Sequence, residues 1–514
     1  MDFKLPSPSM VWEKWKKNCK PIWKTAFLAA VIIGLLIHMP VLVRDIPNHD
    51  GLDSMYFDQN MITSGRWFLT IACGFSSYFS LPWLIGVLGL IFLGITAAVL
   101  VEFLEIEQKG TAVLVSGLLV AFPALVSTFA YVYTLDGYML ALLLAVLAPL
   151  VTKKYKKGFI AGGILLAFSM GIYQIYLSFT MLLCVYGILM LFLADGCWKE
   201  KAKGMLRYLY MGIIGVSLYY ILLQILLKLQ GKELASYQGI NEMGTVGTGL
   251  LGTIKTIYSD FITFSARSGI LFKNVFSIAA VVLLIALVVY TVFGVMREKK
   301  LYKSPWFYAV ILLLAVGLPI ATNIILLISP EVNYHLLMRY QWVMYLILPI
   351  AFADKFGKGN GSRWVLLISA AVLLFNYAVM DNIAYSNLQK KYEKTYALCV
   401  RLSDRIEQTE GYYQGMPIAM IGVVGDENYP ETDITGEVTG SMIGMNGDYL
   451  LYTRTNYQAF FKNYLGITIN LVSDEEMLAI YDSEEYQEMG SFPAADSLKV
   501  VDGTLYIKLE NSEE

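Results

Sequence analysis

The sequence predicts a polytopic α-helical membrane protein that ends in a small α/β domain. Of its 514 residues, 57 % are hydrophobic and only 16 % are charged, whereas soluble domains carry about 25 % charged residues. The charges are also segregated, since residues 384–514 hold 22 acidic and 9 basic residues while residues 1–383 hold 19 acidic and 30 basic ones. We therefore divide the chain into a transmembrane domain, 1–383, and a C-terminal domain, 384–514.

The transmembrane domain is predicted from apolar runs, because a helix needs about 17–25 mostly apolar residues to cross a bilayer. About eleven such runs occur in the first 383 residues. They lie at 25–43, 82–104, 111–130, 135–152, 158–174, 176–194, 205–227, 275–295, 306–328, 337–353 and 364–381. We therefore expect about eleven transmembrane helices.

The basic residues between these runs predict the orientation of the protein. They cluster at 14–24, around Lys109, and at 153–157, 199–207, 297–303 and 355–363. With eleven spans, all of these clusters fall on one side, which the positive-inside rule assigns to the cytoplasm. The sequence thus predicts a multi-pass protein of the cell membrane with its N-terminus inside and its C-terminal domain outside.

The composition disfavours several other classes of protein. The basic residues stand in short clusters between apolar runs, so they form no continuous surface for nucleic acid. The chain has no Gly-rich phosphate-binding loop of the kind that ATP hydrolysis requires. Its five cysteines lack the spacing of a metal site. The expected partners are therefore the lipid bilayer and molecules at its surface.

The loop between the first two predicted helices, residues 44–80, collects charged side chains beside the membrane. Its polar candidates are Asp45, His49, Asp50, Asp53, Asp58 and Arg66. A helix that starts near Asp50 would place Asp50 and Asp53 one turn apart. A carboxylate held near hydrocarbon has a raised proton affinity and suits a general base. The alternative is a solvated loop whose aspartates cap short helices.

Two amphipathic helices are predicted to lie in the plane of the outer membrane surface. The first belongs to the same loop and presents Leu52, Met55, Tyr56, Gln59 and Ile62 on one face. The second belongs to segment 228–274, where an apolar stripe leaves Lys255 and Asp260 off it. The stripe comprises Leu250, Leu251, Ile254, Ile257, Tyr258, Phe261 and Ile262. Residues 237–249, which directly precede the second helix, are Gly-rich. They are expected to form either a flap over a cavity at the outer surface or a passive loop.

Further polar residues stand at the outer ends of predicted helices, as a cavity open to the outer leaflet would require. They are Tyr131, Tyr133, Asp136, Tyr173, Gln174, Asn333, Tyr334, His335 and Arg339. An interfacial belt of aromatic residues with a snorkelling charge is the alternative. Arg339 is the most costly of them to place without an anionic partner. A phosphate group would supply that partner through bidentate hydrogen bonds.

The C-terminal domain is predicted to alternate helices and strands. Residues 384–410 indicate a helix with mixed charges, and strands are expected at 417–424, 467–472 and 504–509. Helices are expected at 456–464 and 474–486, the second beginning after a Ser473 cap. This pattern predicts a small α/β domain, which we interpret as a structural or acceptor-docking lobe.

Several short motifs, taken in their order along the chain, resemble one known family. They are S-G-R-W (64–67), A-Y-V-Y-T-L-D (130–136), G-I-Y-Q (171–174), M-R-Y-Q (338–341) and the junction 387–406 that leads into P-I-A-M-I-G (417–422). Together with the topology they resemble the Gtr type II family of bacterial glucosyltransferases, which modify surface polysaccharides. The resemblance covers nearly the whole chain.

The resemblance implies a GT-C-like membrane glycosyltransferase of the bacterial cytoplasmic membrane. Such an enzyme moves a sugar, glucose by default, from a polyprenyl phosphate carrier to a surface glycan or glycolipid on the outer face. The family's general base is typically an aspartate of the first external loop, and the corresponding position here is His49-Asp50, with Asp53 just beyond. Asp50, alone or with Asp53, is therefore the expected base of an inverting displacement.

The remaining site residues receive expected roles in the same scheme. Arg66 or Arg339 would neutralise the departing phosphate, while Trp67, Tyr131 and Tyr173 would stack on the sugar. Gln174 or Asp136 would hold hydroxyl groups, and His49 and His335 would line the site. Asp50 and Asp53 are also the residues that would hold a divalent cation, if the enzyme uses one. The alternatives are a lipid-linked sugar flippase or polysaccharide exporter, which places its polar residues near the midplane, and a polysaccharide polymerase.

Overall fold

The structure is a computed structural model of the chain. It describes residues 7–236, 240, 250–271, 273–329, 332–422, 438–439, 442, 444–445 and 450–509. Within these residues the chain forms a helical bundle and, at its C-terminal end, a small lobe built from a four-stranded sheet and helices. The predicted fold class is therefore confirmed in its main features.

Nine helices of the described residues are long and apolar enough to cross a membrane. A short helix, α1 (Pro8–Asn18), precedes them. The nine are α2 (Pro21–Leu42), α5 (Pro82–Leu104), α8 (Leu135–Lys154), α10 (Leu177–Leu193), α11 (Trp198–Gln230), α13 (Val275–Glu298), α14 (Pro305–Thr322), α16 (Met344–Phe356) and α17 (Gly359–Gln408). The turns Val132–Thr134, Gln174–Tyr176 and Leu336–Val343 extend α8, α10 and α16 at their N-terminal ends.

The other two predicted spans take a different form. Helices α6 (Lys109–Ala121) and α7 (Pro123–Ala130) make one apolar pair bent by 47°. The bend falls at Phe122, which is extended because it precedes a proline. Helix α9 (Gly158–Ile172) has 15 residues, and a helix of that length spans only about 22 Å. The bundle therefore has nine or ten helices of spanning length, compared with the eleven predicted.

Ion pairs gather the basic loops at one end of the bundle. They join loops that are far apart in the chain through Glu102, Glu105, Asp195 and Glu298. The pairs are Lys20–Glu102 (2.8 Å), Lys154–Glu102 (2.5 Å), Lys153–Glu105 (2.7 Å), Lys355–Glu105, Lys299–Asp195 (3.0 Å) and Lys358–Glu298 (2.7 Å). We call this end the basic end.

Helix α9 connects the basic end with the opposite end despite its length. It begins just after Lys157 and ends at Ile172, where the Gly171 carbonyl oxygen accepts a hydrogen bond from Phe68 N at 2.7 Å. Phe68 belongs to the loop between α2 and α5, which follows α2 and so lies at the other end of the bundle. The loop after α9 therefore supplies Tyr173 and Gln174 to the end that carries the first loop.

The first loop is less regular than predicted. Its helices are short: α3 (His49–Asp53), a 3₁₀ turn at Ile62–Ser64 and α4 (Leu69–Gly74). The prediction of one amphipathic helix through residues 52–62 is wrong, because α3 ends at Asp53 and Gln59 has a φ of 59°. The apolar positions also lack a common face, since Leu52 is buried in the core of the lobe whereas Ile62 packs into the bundle.

The second amphipathic helix is confirmed as α12 (Leu250–Arg267). Its inner face buries Ile257 and Phe264 against the bundle. Asp260 does not point away from this face as expected, since its carboxylate contacts Arg339 and Asn323. The Gly-rich segment 237–249 lies outside the described residues, apart from Ile240. A four-residue helix, α15 (Ile325–Ile328), follows α14 close by.

The sheet of the lobe contains β1 (Pro417–Ile421), β2 (Asn470–Leu471), β3 (Leu498–Val501) and β4 (Thr504–Lys508) in the order β2-β1-β4-β3. Strand β1 runs parallel to β2 and β4, while β3 and β4 form an antiparallel hairpin. The three predicted strands correspond to β1, β2 and β4. Strand β3 was not predicted, although Asp502-Gly503 between β3 and β4, with φ values of 45° and 79°, is a typical hairpin turn.

In the described part of the lobe the sheet is accompanied by α18 (Arg454–Phe460), which continues into a π-helical turn (Phe461–Leu465), and by α19 (Asp474–Tyr481) and α20 (Glu484–Gln487). The predicted Ser473 cap is confirmed, since the Ser473 and Glu476 side chains form a reciprocal capping box. Helix α17 runs through the predicted domain boundary at residue 384 without a break. The lobe is thus attached to the bundle by a continuous helix, which limits how far it can turn.

Candidate active site

The end of the bundle opposite the basic end carries most of the predicted site residues. They form three groups. The acid cluster consists of His49, Asp50 and Asp53, and the arginine pocket consists of Arg66, Tyr138, Tyr173 and Gln174. The third group is the ion pair between Arg339 and Asp260. The structure therefore brings together segments that are far apart in the sequence.

The acid cluster is built on the single turn of α3. Asn48 caps this turn, because its Oδ1 accepts a hydrogen bond from Gly51 N at 2.7 Å. The Asn48 Nδ2 donates to the Ala130 carbonyl oxygen at 2.8 Å and so ties α3 to the end of α7. The predicted start of the helix is confirmed, and Asp50 and Asp53 lie one turn apart.

The two aspartates of this turn have different surroundings. Asp53 Oδ2 accepts a hydrogen bond from Asn456 Nδ2 of the lobe at 3.0 Å. The Asp50 side chain is 53 % exposed, and its Oδ1 lies 3.4 Å from His49 Nε2. Both aspartates are exposed, but Asp50 lies beside His49 whereas Asp53 is engaged by the lobe.

His49 is held in its neutral form. Burial lowers its pKa, and the positive charge of Lys391 lowers it further, against the opposing effects of Asp50 and Asp53. The ring packs edge-on against Tyr452 of the lobe, with the ring centroids 5.2 Å apart. At neutral pH the imidazole thus adds no positive charge beside Asp50, and the local negative charge is preserved.

The arginine pocket presents a cation among aromatic rings. Arg66 Nη1 donates to the Tyr138 hydroxyl at 3.1 Å, and its guanidinium lies 4.8 Å from the centre of the Tyr173 ring. Tyr138 and Tyr173 are stacked with centroids 4.4 Å apart. Cation–π contact and stacking orient the guanidinium.

Gln174 fixes the backbone that carries Arg66. Its Nε2 donates to the Ser64 carbonyl oxygen at 3.0 Å and to the Tyr219 hydroxyl at 3.0 Å. The Tyr219 hydroxyl in turn donates to the Gly65 carbonyl oxygen at 3.2 Å. Gly65 has a φ of +77°, a conformation that favours glycine. Gln174 thus supports the turn that directs Arg66, and it also lines the cavity beside Arg66.

A cavity of about 30 Å³ lies beside Arg66, Tyr173 and Gln174, and Ile240 and Ile328 also line it. This volume is about that of one water molecule. A sugar ring therefore enters only if the pocket opens. Ile240 belongs to the segment that the sequence indicates as a flap or a passive loop, so this segment borders the pocket at one residue at least.

A row of tyrosines connects the acid cluster with the arginine pocket. Tyr133 packs against α3, since a Cβ at Gly51 would lie 3.8 Å from its ring, and its ring centroid lies 6.2 Å from that of Tyr131. Tyr138 then accepts the hydrogen bond from Arg66. We call Tyr131, Tyr133, Tyr138 and Tyr173 the tyrosine wall. The wall places an open carboxylate and an arginine along one side of the same region.

Two of the predicted sugar contacts serve the packing of this end instead. Trp67 packs so closely on Gly171 that a Cβ there would lie 2.6 Å from the indole. Asp136 is 1 % exposed and accepts hydrogen bonds from Ser76 Oγ at 2.5 Å and Gly137 N at 2.9 Å. Neither residue lines the arginine pocket.

Arg339 has an anionic partner within the protein, Asp260, at the place where the sequence suggested a phosphate. Its Nη1 and Nη2 each lie 2.7 Å from an oxygen of Asp260, and its Nε donates to the Tyr334 carbonyl oxygen at 3.0 Å. The guanidinium lies between the rings of Tyr334 and Phe264, at 3.8 and 4.5 Å from their centres. Its charge is thus matched by Asp260 of α12.

His335 lies next to this ion pair and is only partly exposed. It precedes the turn Leu336–Val343, and its backbone carbonyl oxygen accepts a hydrogen bond from Met338 N at 3.0 Å. Burial lowers its pKa, and the positive charge of Arg339 lowers it further. His335 is therefore neutral at pH 7 and lies on the Arg339 side of the site rather than beside Asp50.

Breaking the Arg339–Asp260 pair is expected to destabilise the protein. Asp260→Ala leaves the Arg339 guanidinium, whose side chain is 9 % exposed, without its carboxylate, and loss of one partner of a buried pair costs about 3–5 kcal/mol. Thermal unfolding in detergent measures the effect as a lower Tm. Ser259→Ala, at the exposed neighbouring position, is the matched control, and equal Tm values for the two variants would contradict the prediction.

Three functional candidates were missed by the sequence analysis: Tyr138, Asp260 and Asn456. Tyr138 could have been found from the sequence, because it lies two residues after Asp136, the last residue of the motif at 130–136. Asp260 lies three residues after Ile257 and four before Phe264, which is the spacing of one helical face. The sequence around Asn456 does not indicate its role, because its partner Asp53 lies 403 residues away.

A divalent cation finds no complete ligand set in the described part of the chain. No group of three His, Cys, Asp or Glu side chains there is arranged to hold a metal ion. In the acid cluster, Asp53 is turned toward Asn456. We therefore assign no step of the reaction to a metal.

The bundle and its polar end define a multi-pass membrane protein with a site at one face. The profile of the glucosyl transferase GtrII family matches residues 39–352. The chain therefore belongs to this family and is a membrane glycosyltransferase. No curated protein and no solved structure matches the chain.

The family match covers only part of the chain, residues 39–352. It covers the acid cluster, the arginine pocket and Arg339. It ends at Phe352, within α16, so α17 and the lobe lie outside it, as do the junction 387–406 and residues 417–422 of the resemblance. The contacts of the lobe with α3 are thus a feature of this chain that the family match does not account for.

Proposed function

We propose that the protein transfers a glucosyl group from a polyprenyl phosphate carrier to a cell-surface polysaccharide or glycolipid, as a GT-C-type enzyme of the bacterial cytoplasmic membrane. The observation that carries the proposal is the tyrosine wall. It extends from Tyr133, which packs on the turn that carries Asp50, to Tyr138, which accepts a hydrogen bond from Arg66. A base for the acceptor and a cation for the leaving phosphate are the two groups that this reaction needs.

The basic end indicates on which side of the membrane the reaction takes place. Lysine and arginine residues in short loops favour the cytoplasmic side, so the basic end faces the cytoplasm. The N-terminus then lies inside, and the acid cluster, the arginine pocket and the lobe lie outside. Lobe and site thus face the acceptor on the outer surface.

The reaction is a single in-line displacement. The acceptor oxygen attacks the anomeric carbon while the Asp50 carboxylate takes the hydroxyl proton. The bond between the anomeric carbon and the phosphate oxygen breaks, and its electron pair stays on that oxygen. Arg66 stabilises the charge of the polyprenyl phosphate that leaves. The products are an inverted glucoside and the free carrier, and no nucleotide is needed.

Arg66 is the better candidate for the phosphate than Arg339. The charge of Arg339 is matched by Asp260 through two hydrogen bonds of 2.7 Å, so a phosphate would have to displace a carboxylate. Arg66 lines the cavity beside Tyr173, and Arg339 does not. Tyr131 and Tyr173 of the wall are the proposed stacking surfaces for the sugar. The surrounding structure is supported by Gln174, Trp67 and Asp136.

An apolar groove supports the choice of a lipid-linked donor. It has a volume of about 350 Å³, lies between α10, α13, α14 and α16, and is lined by Leu182, Val292, Leu318 and Tyr345 among other side chains. An isoprenoid chain in this groove would pack against apolar groups and would be removed from water. The groove follows α14, beyond which Ile325 and Ile328 of α15 line the arginine pocket. A carrier in the groove would thus reach the site with its phosphate end.

The proposal is tested with purified protein in detergent. The substrates are polyprenyl phosphate carrying radiolabelled glucose and envelope polysaccharide isolated from cells that lack this protein. We expect label in the polysaccharide, release of polyprenyl phosphate and an inverted linkage by NMR, whereas UDP-glucose should not serve as donor. Label that stays on the carrier, or that moves equally well from UDP-glucose, would contradict the proposed reaction.

A further inference from the structure

The lobe reaches into the acid cluster, although it lies outside the family match. Helix α18 packs on α3, and the contact centres on Asn456, which is 1 % exposed. The Asn456 Nδ2 donates to two acceptors of α3, the His49 carbonyl oxygen at 3.1 Å and Asp53 Oδ2 at 3.0 Å. One buried amide thus holds both ends of the turn on which Asp50 stands.

The orientation of this amide is itself fixed. Asn456 Oδ1 accepts a hydrogen bond from Tyr452 N at 3.1 Å. The start of α18 is capped by Thr453, whose Oγ1 accepts from Asn456 N at 3.2 Å. Because the oxygen of the amide is engaged on the lobe, its nitrogen must point toward α3. A flipped amide would lose these contacts and place its oxygen against two acceptors.

Two further contacts join the lobe to the same loop. The Leu52 side chain is 3 % exposed and belongs to the hydrophobic core of the lobe. The Tyr464 hydroxyl donates to Asp45 Oδ2 at 3.1 Å. On the bundle side, α3 is held by the Asn48–Ala130 hydrogen bond. The turn is thus fixed between bundle and lobe, and of its two exposed acids Asp53 is the one that contacts the lobe.

From these contacts we infer that Asn456 is a positioning residue for the transfer reaction and that Asp53 acts through it rather than as a second base. The inference rests on the proposed function. Asn456 holds α3, which carries Asp50 and packs against Tyr133 of the tyrosine wall. Displacement of a catalytic group by about 1 Å can cost about 10²-fold in rate. The lobe is therefore a component of the active site.

Kinetics of Asn456→Ala test this role. We expect kcat to fall about 10- to 100-fold, with little change in the KM for polyprenyl phosphate glucose, because the arginine pocket is untouched. Asn470→Ala is the matched control, since Asn470 is exposed and donates to Gly415 within the lobe. Equal kcat values for Asn456→Ala and wild type would overturn the inference. An inactive wild type would instead overturn the proposed function.

Variants of Asp53 separate positioning from base catalysis. In Asp53→Asn the side-chain oxygen can still accept from Asn456, and we expect a loss of only about threefold, as a neutral acceptor forms the weaker bond. Asp53→Ala should match Asn456→Ala, and the double variant should be no slower than either. Asp53→Asn as inactive as Asp50→Asn, or losses that multiply in the double variant, would show Asp53 to be catalytic in its own right. Thermal unfolding of every variant checks that it is folded.

Discussion

Asp50→Asn is expected to abolish glucosyl transfer while the protein remains folded. The amide cannot take the proton of the acceptor hydroxyl, and loss of a general base typically costs about 10²–10⁴-fold in rate. The side chain is 53 % exposed, so the substitution leaves little buried structure to disturb. Initial rates with polyprenyl phosphate glucose measure the loss, and thermal unfolding should give an unchanged Tm.

The control for this variant is Asp58→Asn. Asp58 is another exposed acid of the same loop, and its Oδ1 accepts a hydrogen bond from Asn60 N at 3.0 Å. We expect it to keep nearly the full rate. If Asp50→Asn also retained more than about a tenth of the wild-type rate, the assignment of Asp50 as the base would be wrong.

Arg66→Gln is expected to lower kcat by about 10²–10³-fold, which is the usual cost of removing a group that stabilises developing charge. Donor binding should weaken as well, because the phosphate is already charged in the ground state. Arg66→Lys keeps the charge without the bidentate geometry and should retain part of the rate. The measurements are kcat, and KM for the donor, in each variant.

The comparison with Arg339→Gln decides between the two arginines. That variant leaves Asp260 without its cation, so we expect a lower Tm and a smaller effect on donor KM than Arg66→Gln causes. The opposite result, with donor KM raised in Arg339→Gln and unaffected in Arg66→Gln, would identify Arg339 as the phosphate ligand. Asp260 would then be the group that the phosphate displaces.

The helices could be predicted because their signal is local. A run of apolar residues as long as a bilayer is thick leaves few alternatives, and every predicted span coincides with an apolar helix. The bends and ends of the helices depend on particular residues. Pro123 bends the third span at Phe122, and α9 ends after 15 residues because Tyr173 is extended. Neither effect changes the hydrophobicity from which the spans were predicted.

The site could be predicted only in part, because its contacts join distant segments. Asp50 and Arg66 were found as charged residues beside the membrane. The pairing of Arg339 with Asp260 spans 79 residues, and that of Asp53 with Asn456 spans 403. A helical period in residues 52–62 was also misleading, since Leu52 packs into a lobe that lies more than 300 residues further along the chain. Local patterns carry no information about such partners.

The central claim is that the acid cluster performs transfer at the face opposite the basic end. Proteoliposomes in which protease access to the lobe reports orientation test it most directly, with labelled polyprenyl phosphate glucose and acceptor polysaccharide supplied only on the lobe side. We predict labelled polysaccharide on that side, no movement of the donor across the bilayer, and no product with Asp50→Asn. Donor that reaches the opposite leaflet without labelled polysaccharide would contradict the account and identify a flippase.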